Sequence, residues 1–243
     1  MTRGRRAAAA LLLALLLLAG PLLGWGGLAD GPLSARAGVG DFVAGQPGCG
    51  RVALIFNVGA GYEPALGMLD TLSAYGVPAT FFLMGWWVDW YPGAAATIAA
   101  YGHPIGSHGN LPPELTSRSD EDIRNDVWAA EAAFERQLGF APGPWFTAYA
   151  GASDWRVNAL VAELGYTMIG WEVETGDWDP NVSADMIHSR VMTQVYDGAV
   201  VELHLDSAGS TYTTATALPW IIEDLTAQGY TLVTIPDLMT PCS

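Results

Sequence analysis

From residue 51 onward, short apolar runs alternate with stretches in which apolar residues recur every three or four positions. The runs at 52–57, 80–83, 104–107, 145–147, 167–171, 199–203 and 231–235 read as strands. Helical patterns fill the intervals at 64–75, 91–101, 120–138, 154–164, 183–195 and 214–228. The period is clearest in 120–138, where Ile123, Val127, Ala130, Phe134 and Leu138 share one face. Ser119 or Asp120 can cap that helix, and acidic residues in its first turn suit the positive end of the helix dipole. Gly76, Gly102, Gly139, Gly165 and Gly229 each follow a helical stretch and precede a strand, as helix-ending glycines do. Repeated helix–glycine–strand units predict an α/β fold with a mainly parallel sheet.

The first 37 residues follow a different pattern. Arg3, Arg5 and Arg6 precede an apolar run that begins at Ala7, and Ala35-Arg36-Ala37 has the small-x-small form of a cleavage site. Residues 1–37 are expected to be a signal peptide or an N-terminal anchor, 38–50 a Gly-rich tether, and 51–243 one domain. Either fate of the leader puts the domain outside the cytoplasm, in a secreted or envelope-associated place. Membrane contact is then expected only through an uncleaved leader.

The chain has 243 residues, close to the size of one α/β barrel. Its formal charge is −15, and every basic residue is Arg. An acidic chain repels phosphate backbones and anionic lipid surfaces, which excludes a nucleic-acid partner. Cys49 and Cys242 are the only cysteines and flank the first and last predicted strands, which are neighbours in a closed barrel. An oxidising compartment permits a bridge between them, and two unrelated thiols are the alternative.

In a parallel barrel the chemistry gathers at the carboxyl ends of the strands. Asn57, His108, Thr147, Glu172, Glu174, Asp177 and His204 fall there. Asp206 is a candidate to orient His204. Glu63, Glu172, Glu174 and Glu202 could form a carboxylate pair for glycosidic chemistry, against the plainer reading of solvated or packing charges. A serine-hydrolase arrangement of His204, Asp206 and Ser207 has no nucleophile-elbow pattern behind it. Trp86, Trp87, Trp90 and Tyr91 follow the second strand, and Trp145, Trp155, Trp171 and Trp178 come later. Aromatic faces stack on sugar rings, although tryptophan is also a core residue.

Four segments resemble polysaccharide deacetylases of the NodB-homology, carbohydrate esterase family four type. Residues 65–85 (ALGMLDTLSAYGVPATFFLMG) resemble that family's helix-then-strand segment, and 102–115 (GHPIGSHGNLPPEL) its histidine motif. Residues 171–178 (WEVETGDW) and 200–204 (VVELH) are similar to its Asp-Trp and terminal histidine motifs. The resemblance implies a distorted, incomplete (β/α) barrel of about seven mainly parallel strands. It also implies a zinc- or cobalt-dependent removal of acetyl groups from chitin-like or peptidoglycan-like sugars. The family's catalytic base falls on Asn57, and its three metal ligands fall on Val58, His108 and Pro112. The orienting arginine falls on Thr147 and a tyrosine on Ala150, whereas Asp177, Trp178 and His204 match the late motifs. Only His108 of the metal set keeps a ligating side chain, where a catalytic zinc needs three. The expectation is therefore a carbohydrate-binding or carbohydrate-acting protein with impaired metal-dependent deacetylation and no cofactor. Zinc or another divalent metal enters only if the site is rearranged, which would make the chain an active deacetylase. Trp86, Trp87 and Trp178 are the expected sugar contacts, and His204, Asp177 and the substituted Asn57 the expected catalytic positions.

Overall fold

The first strand, β1 (Arg51–Val58), is apolar on both faces, as a strand sandwiched between two buried layers must be. Val52, Leu54, Phe56 and Val58 face an outer helical layer, while Ala53 and Ile55 face the barrel interior with Asn57 next on the same side. The computed structural model describes residues 41–242, so the leader lies outside the described residues. After β1 come α1 (Gly67–Tyr75), β2 (Thr80–Leu83), α2 (Gly85–Trp90), α3 (Pro92–Ala100) and β3 (Ile105–Ser107). Then follow α4 (Asp120–Leu138), β4 (Trp145–Phe146), α5 (Trp155–Glu163), β5 (Thr167–Met168), β6 (Val173–Glu174) and α6 (Ala184–Gln194). The last elements are β7 (Val200–His204), α7 (Ala215–Ala227), β8 (Thr231–Val233) and α8 (Ile235–Met239). The sheet runs β5-β4-β3-β2-β1-β7-β6, with β8 beside the first half of β1. Every pairing between these strands is parallel. This is the distorted, incomplete barrel the sequence led us to expect.

Register decides what reaches the interior. Ile55 pairs with Glu202 and Asn57 with His204. Successive residues alternate faces, so Glu202 and His204 point inward beside Asn57, while Val201, Leu203 and Leu205 join the outer core. Two glycines permit close approaches near this region. A Cβ on Gly106 would lie 2.6 Å from the Phe82 ring, and one on Gly85 would lie 2.6 Å from Ala130 Cα. Gly85 thus lets α2 start directly after β2 and pack on α4.

Helix α4 keeps its predicted bounds and buries Ile123, Val127, Ala130 and Phe134. Ser119 is its cap, with Oγ accepting from Asp122 N at 3.2 Å. Asp126 is also buried, and its carboxylate accepts from Asn110 N, Leu111 N and the Arg118 guanidinium. That clamp fixes the loop after β3, which carries His108 and Pro112.

Four segments differ from the sequence pattern. The helix expected over 91–101 begins earlier, as α2, and breaks at Tyr91, which precedes Pro92 and so is biased away from helical backbone. Of the strand expected over 167–171 only β5 forms, on one edge of the sheet, and a further strand beyond those bounds, β6, pairs with β7 instead. Residues 41–45, expected within a tether, lie across that gap: Phe42 bridges to Ile169 and Ala44 to Ala199. Finally, 231–235 is a strand only to Val233, after which Thr234 caps α8 by accepting from Asp237 N. The β1–β8 pairing brings the two ends together, and Cys49 and Cys242 form a disulfide with a Cα–Cα distance of 5.8 Å.

Candidate functional site

A cavity of about 690 Å³ opens at the carboxyl ends of the strands. Asn57, His108, Glu202 and His204 contribute its polar lining, and Tyr62, Trp86, Tyr149, Trp171 and Trp178 its aromatic walls. One chain of hydrogen bonds and ion pairs runs through the polar side. His108 Nδ1 lies 3.0 Å from the Thr147 carbonyl and 2.7 Å from its hydroxyl. A carbonyl only accepts, so Nδ1 carries the proton and the lone pair is on Nε2. Thr147 Oγ1 donates to Asn57 Oδ1 at 2.9 Å, and Asn57 Nδ2 donates to Glu202 Oε1 at 3.3 Å. The same Glu202 oxygen lies 3.2 Å from His204 Nε2. His204 Nδ1 lies 2.8 Å from Asp177 Oδ1. Asp177 Oδ2 accepts from His204 N at 2.9 Å and from Thr214 Oγ1 at 2.8 Å.

The two histidines are driven in opposite directions. Burial holds His108 down at about 4, with the Thr147 carbonyl opposing only weakly, so the ring is neutral near pH 7. For His204 burial also disfavours the charge, but it is outweighed by Glu202 and Asp177, which raise the ring to about 10. Both of its ring nitrogens face a carboxylate, as an imidazolium requires. Burial pushes Glu202 up to about 7; His204 opposes the rise, and Asp177 and Glu174 add to it. Glu202 Oε2 is buried without a partner, as is Trp171 Nε1.

The residues proposed from sequence are largely brought together. Asn57, His108, Pro112, Trp86, Trp178 and His204 all line the cavity, as does Ala150, and Val58 borders it at the end of β1 while its side chain packs in the outer core. Asp177 stands behind His204, fully buried. Trp87 does not belong to this set: it is 0% exposed, packed in the outer core against Tyr91, because α2 turns it away from the cavity. Asp206 does not orient His204. Its carboxylate instead accepts from the backbone N–H groups of Gly59, Ala60 and Gly61, holding the loop after β1. His103 and His188 lie elsewhere, against Phe81 and Tyr101 and on Asp224 respectively. Glu202 is the group the sequence reading set aside as a packing charge. The alternation along β7 carried the signal, since residues 202 and 204 share a face.

The side chains at the metal positions of the family it resembles do not fit an ion. Val58 has no donor atom, Pro112 cannot ligate, and His108 alone remains. Asp177, Glu202 and His204 bring one donor atom each within 4.8 Å of one another. Here the two carboxylates address different nitrogens of the ring. An ion on Nε2 would gain Glu202 but leave Asp177 as the outer partner of Nδ1, one protein ligand short of three.

Comparison with known proteins adds three findings. The polysaccharide deacetylase family profile matches residues 44–169. Peptidoglycan-N-acetylglucosamine deacetylase PgdA of Listeria monocytogenes is 35% identical over 189 residues, covering 77% of this chain but 38% of that protein. A peptidoglycan-N-acetylglucosamine deacetylase of Bacillus cereus is 31% identical over 192 residues, covering 77% of this chain and 68% of its own length. Among solved structures, a CE4 family pseudoenzyme from Bacillus anthracis superposes with a TM-score of 0.76 at 29% identity. That match covers 82% of this chain and 69% of the other. A mutant of the same pseudoenzyme is described as having restored enzymatic activity.

Proposed function

The chain belongs to the polysaccharide deacetylase family, and from that membership we propose an extracytoplasmic protein that binds N-acetylated cell-wall or chitin-like carbohydrate and has lost metal-dependent deacetylation. The observation that carries this reading is the side-chain set at the strand ends. By the motif resemblance, Val58 and Pro112 fall at two of the family's metal-ligand positions and Asn57 at its base, and all three border the cavity. Without the ion, water keeps a pKa of about 15.7 instead of about 7. Asn57 is an amide whose oxygen already accepts from Thr147, so the residue at the family's base position cannot take that proton. Recognition does not need either group. Trp86 and Trp178, the latter 51% exposed, offer faces for sugar rings, and the polar lining supplies donors and acceptors for hydroxyls.

Residues 51–243 form the barrel domain of this reading, and 1–37 act as the export signal or anchor. The Cys49–Cys242 disulfide suits an oxidising compartment. No resident zinc is required for binding. The test is metal analysis of the purified protein together with acetate release and tryptophan quenching by N-acetylated chito-oligosaccharides. Quenching without stoichiometric metal or acetate is the expected result. The second reading, an active deacetylase with a rearranged site, draws on the proximity of Asp177, Glu202 and His204. Stoichiometric zinc with released acetate would establish it and remove the first.

A further inference from the structure

The cavity is unusual in its charge. Its lining holds no Lys or Arg, and its ionisable groups are Glu174, Glu202, His108, His204 and two tyrosines. The positive charge of His204 lies between Asp177 on Nδ1 and Glu202 Oε1 on Nε2. Glu174 and the second oxygen of Glu202 therefore remain to be matched. Glu174 is half-buried, on β6 beside Trp171, and its side chain has no hydrogen-bond or ion-pair partner among the described residues. Glu202 is 2% exposed, with Oε1 shared by Asn57 and His204 and Oε2 unpartnered. Leaving a buried carboxylate oxygen unpartnered is costly, so the site is short of a donor, and of a positive one.

We propose that the preferred ligand is the de-N-acetylated amino sugar, with its ammonium group seated toward Glu174 and Glu202 between the aromatic walls. This rests on the reading that the cavity binds carbohydrate of that class, and it ranks the free-amine form of the sugar above the N-acetylated one. An acetamido nitrogen is neutral and offers one N–H; an ammonium offers three donors and a full charge. Tyr62, Trp86, Trp171 and Trp178 stand around the same space, where their ring faces add attraction for a cation. At longer range, the formal charge of −15 draws a polymer bearing many ammonium groups and repels none of it. A deacetylation elsewhere on the polymer must then precede binding.

The experiment compares a glucosamine tetrasaccharide with its fully N-acetylated counterpart by tryptophan quenching and calorimetry, with tetralysine as a non-sugar cation. The expected result is about ten-fold tighter binding of the glucosamine form, corresponding to about 1.4 kcal/mol. Tetralysine should bind far more weakly. Glu174→Gln and Glu202→Gln should each bring the ratio between the two sugars toward one. Glu174 is half-exposed, so its variant keeps the test available if the buried Glu202→Gln misfolds. Equal binding of both sugars, tighter binding of the acetylated one, equal binding of tetralysine, or an unchanged ratio in folded variants would overturn the proposal while leaving carbohydrate binding intact. Binding of neither sugar would remove the underlying reading as well.

Discussion

Replacing Glu202 with Gln keeps the shape of the side chain and removes one of the two anions that hold the His204 imidazolium. The remaining geometry is favourable, because Gln Oε1 can still accept from Asn57 Nδ2 where Glu202 Oε1 does now. At the observed 3.2 Å, the lost attraction is about 5 kcal/mol at an effective dielectric of about 20. At about 1.4 kcal/mol per decade, that is a several-thousand-fold loss of proton affinity. The full effect applies above pH 7, where Glu202 is ionised. His204 should therefore fall from about 10 to between roughly 6 and 7, with Asp177 still raising it and burial still opposing. NMR titration of the imidazole Cε1–H signals reads this directly, with His204 assigned by loss of its signal in His204→Gln. His108 should stay low in both proteins, because its burial and its Thr147 bond are untouched. If His204 in a folded Glu202→Gln protein still titrates near 10, the carboxylate on Nε2 is not what holds the charge, and the reasoning fails.

Four further outcomes follow from the same structure. His204 is raised above its unfolded value of about 6.5, so its contribution to stability is complete below that pH and is lost as pH rises through 10. Urea midpoints should fall between pH 7 and 9, and less steeply in Glu202→Gln. Reducing the Cys49–Cys242 bridge, which spans a sequence separation of 193, should cost up to about 5 kcal/mol by chain entropy, read as a lower melting temperature with reductant. Asp206→Ala leaves the N–H groups of Gly59, Ala60 and Gly61 without their acceptor and should destabilise by about 2–4 kcal/mol, with faster amide exchange confined first to 59–62. Joint Asn57→Asp, Val58→Asp and Pro112→His should introduce stoichiometric zinc, yet acetate release should stay low until Glu202→Gln is added, since a ring held near 10 is a poor proton donor at neutral pH. Strong acetate release without the fourth change would refute that last expectation.

Much of this architecture is visible in the chain because it depends on local patterns. Ile123, Val127, Ala130 and Phe134 mark the buried face of α4, and the fully apolar 52–56 marks a strand covered on both sides. The strand-end positions follow from the same alternation, which is why Asn57, His108 and His204 were identified together. The pattern could not show that the strand expected over 167–171 stops at Met168 and that β6 follows it on the far side of the sheet. That depends on Phe42 and Ala44 reaching strands more than a hundred residues away. Trp87 was misplaced for a related reason: Trp86 and Trp87 are equivalent in composition, and only the start of α2 at Gly85 decides which one faces the cavity. Proximity in sequence points to Asp206 as the partner of His204. The residue that fills that role, Asp177, arrives from the loop after β6.

The replacements in the site fit one another, and that bears on what the site is for. If the resemblance is followed position by position, an aspartate base and its arginine have become Asn57 and Thr147. Those two hydrogen-bond at 2.9 Å, so a charged pair has given way to a neutral one without orphaning either side chain. The chain continues unbroken from His108 through Glu202 to His204, Asp177 and Thr214. Random loss of function at a buried polar site would leave several groups unpaired, and each would cost stability. Here the cavity lining has two unpartnered buried side-chain atoms among the described residues, Glu202 Oε2 and Trp171 Nε1. One is an acceptor with negative charge and the other a donor on an aromatic wall. A cavity whose unpartnered buried acceptor is a carboxylate oxygen, with the unpartnered Glu174 beside it, suits a ligand that brings donors and charge of the opposite sign.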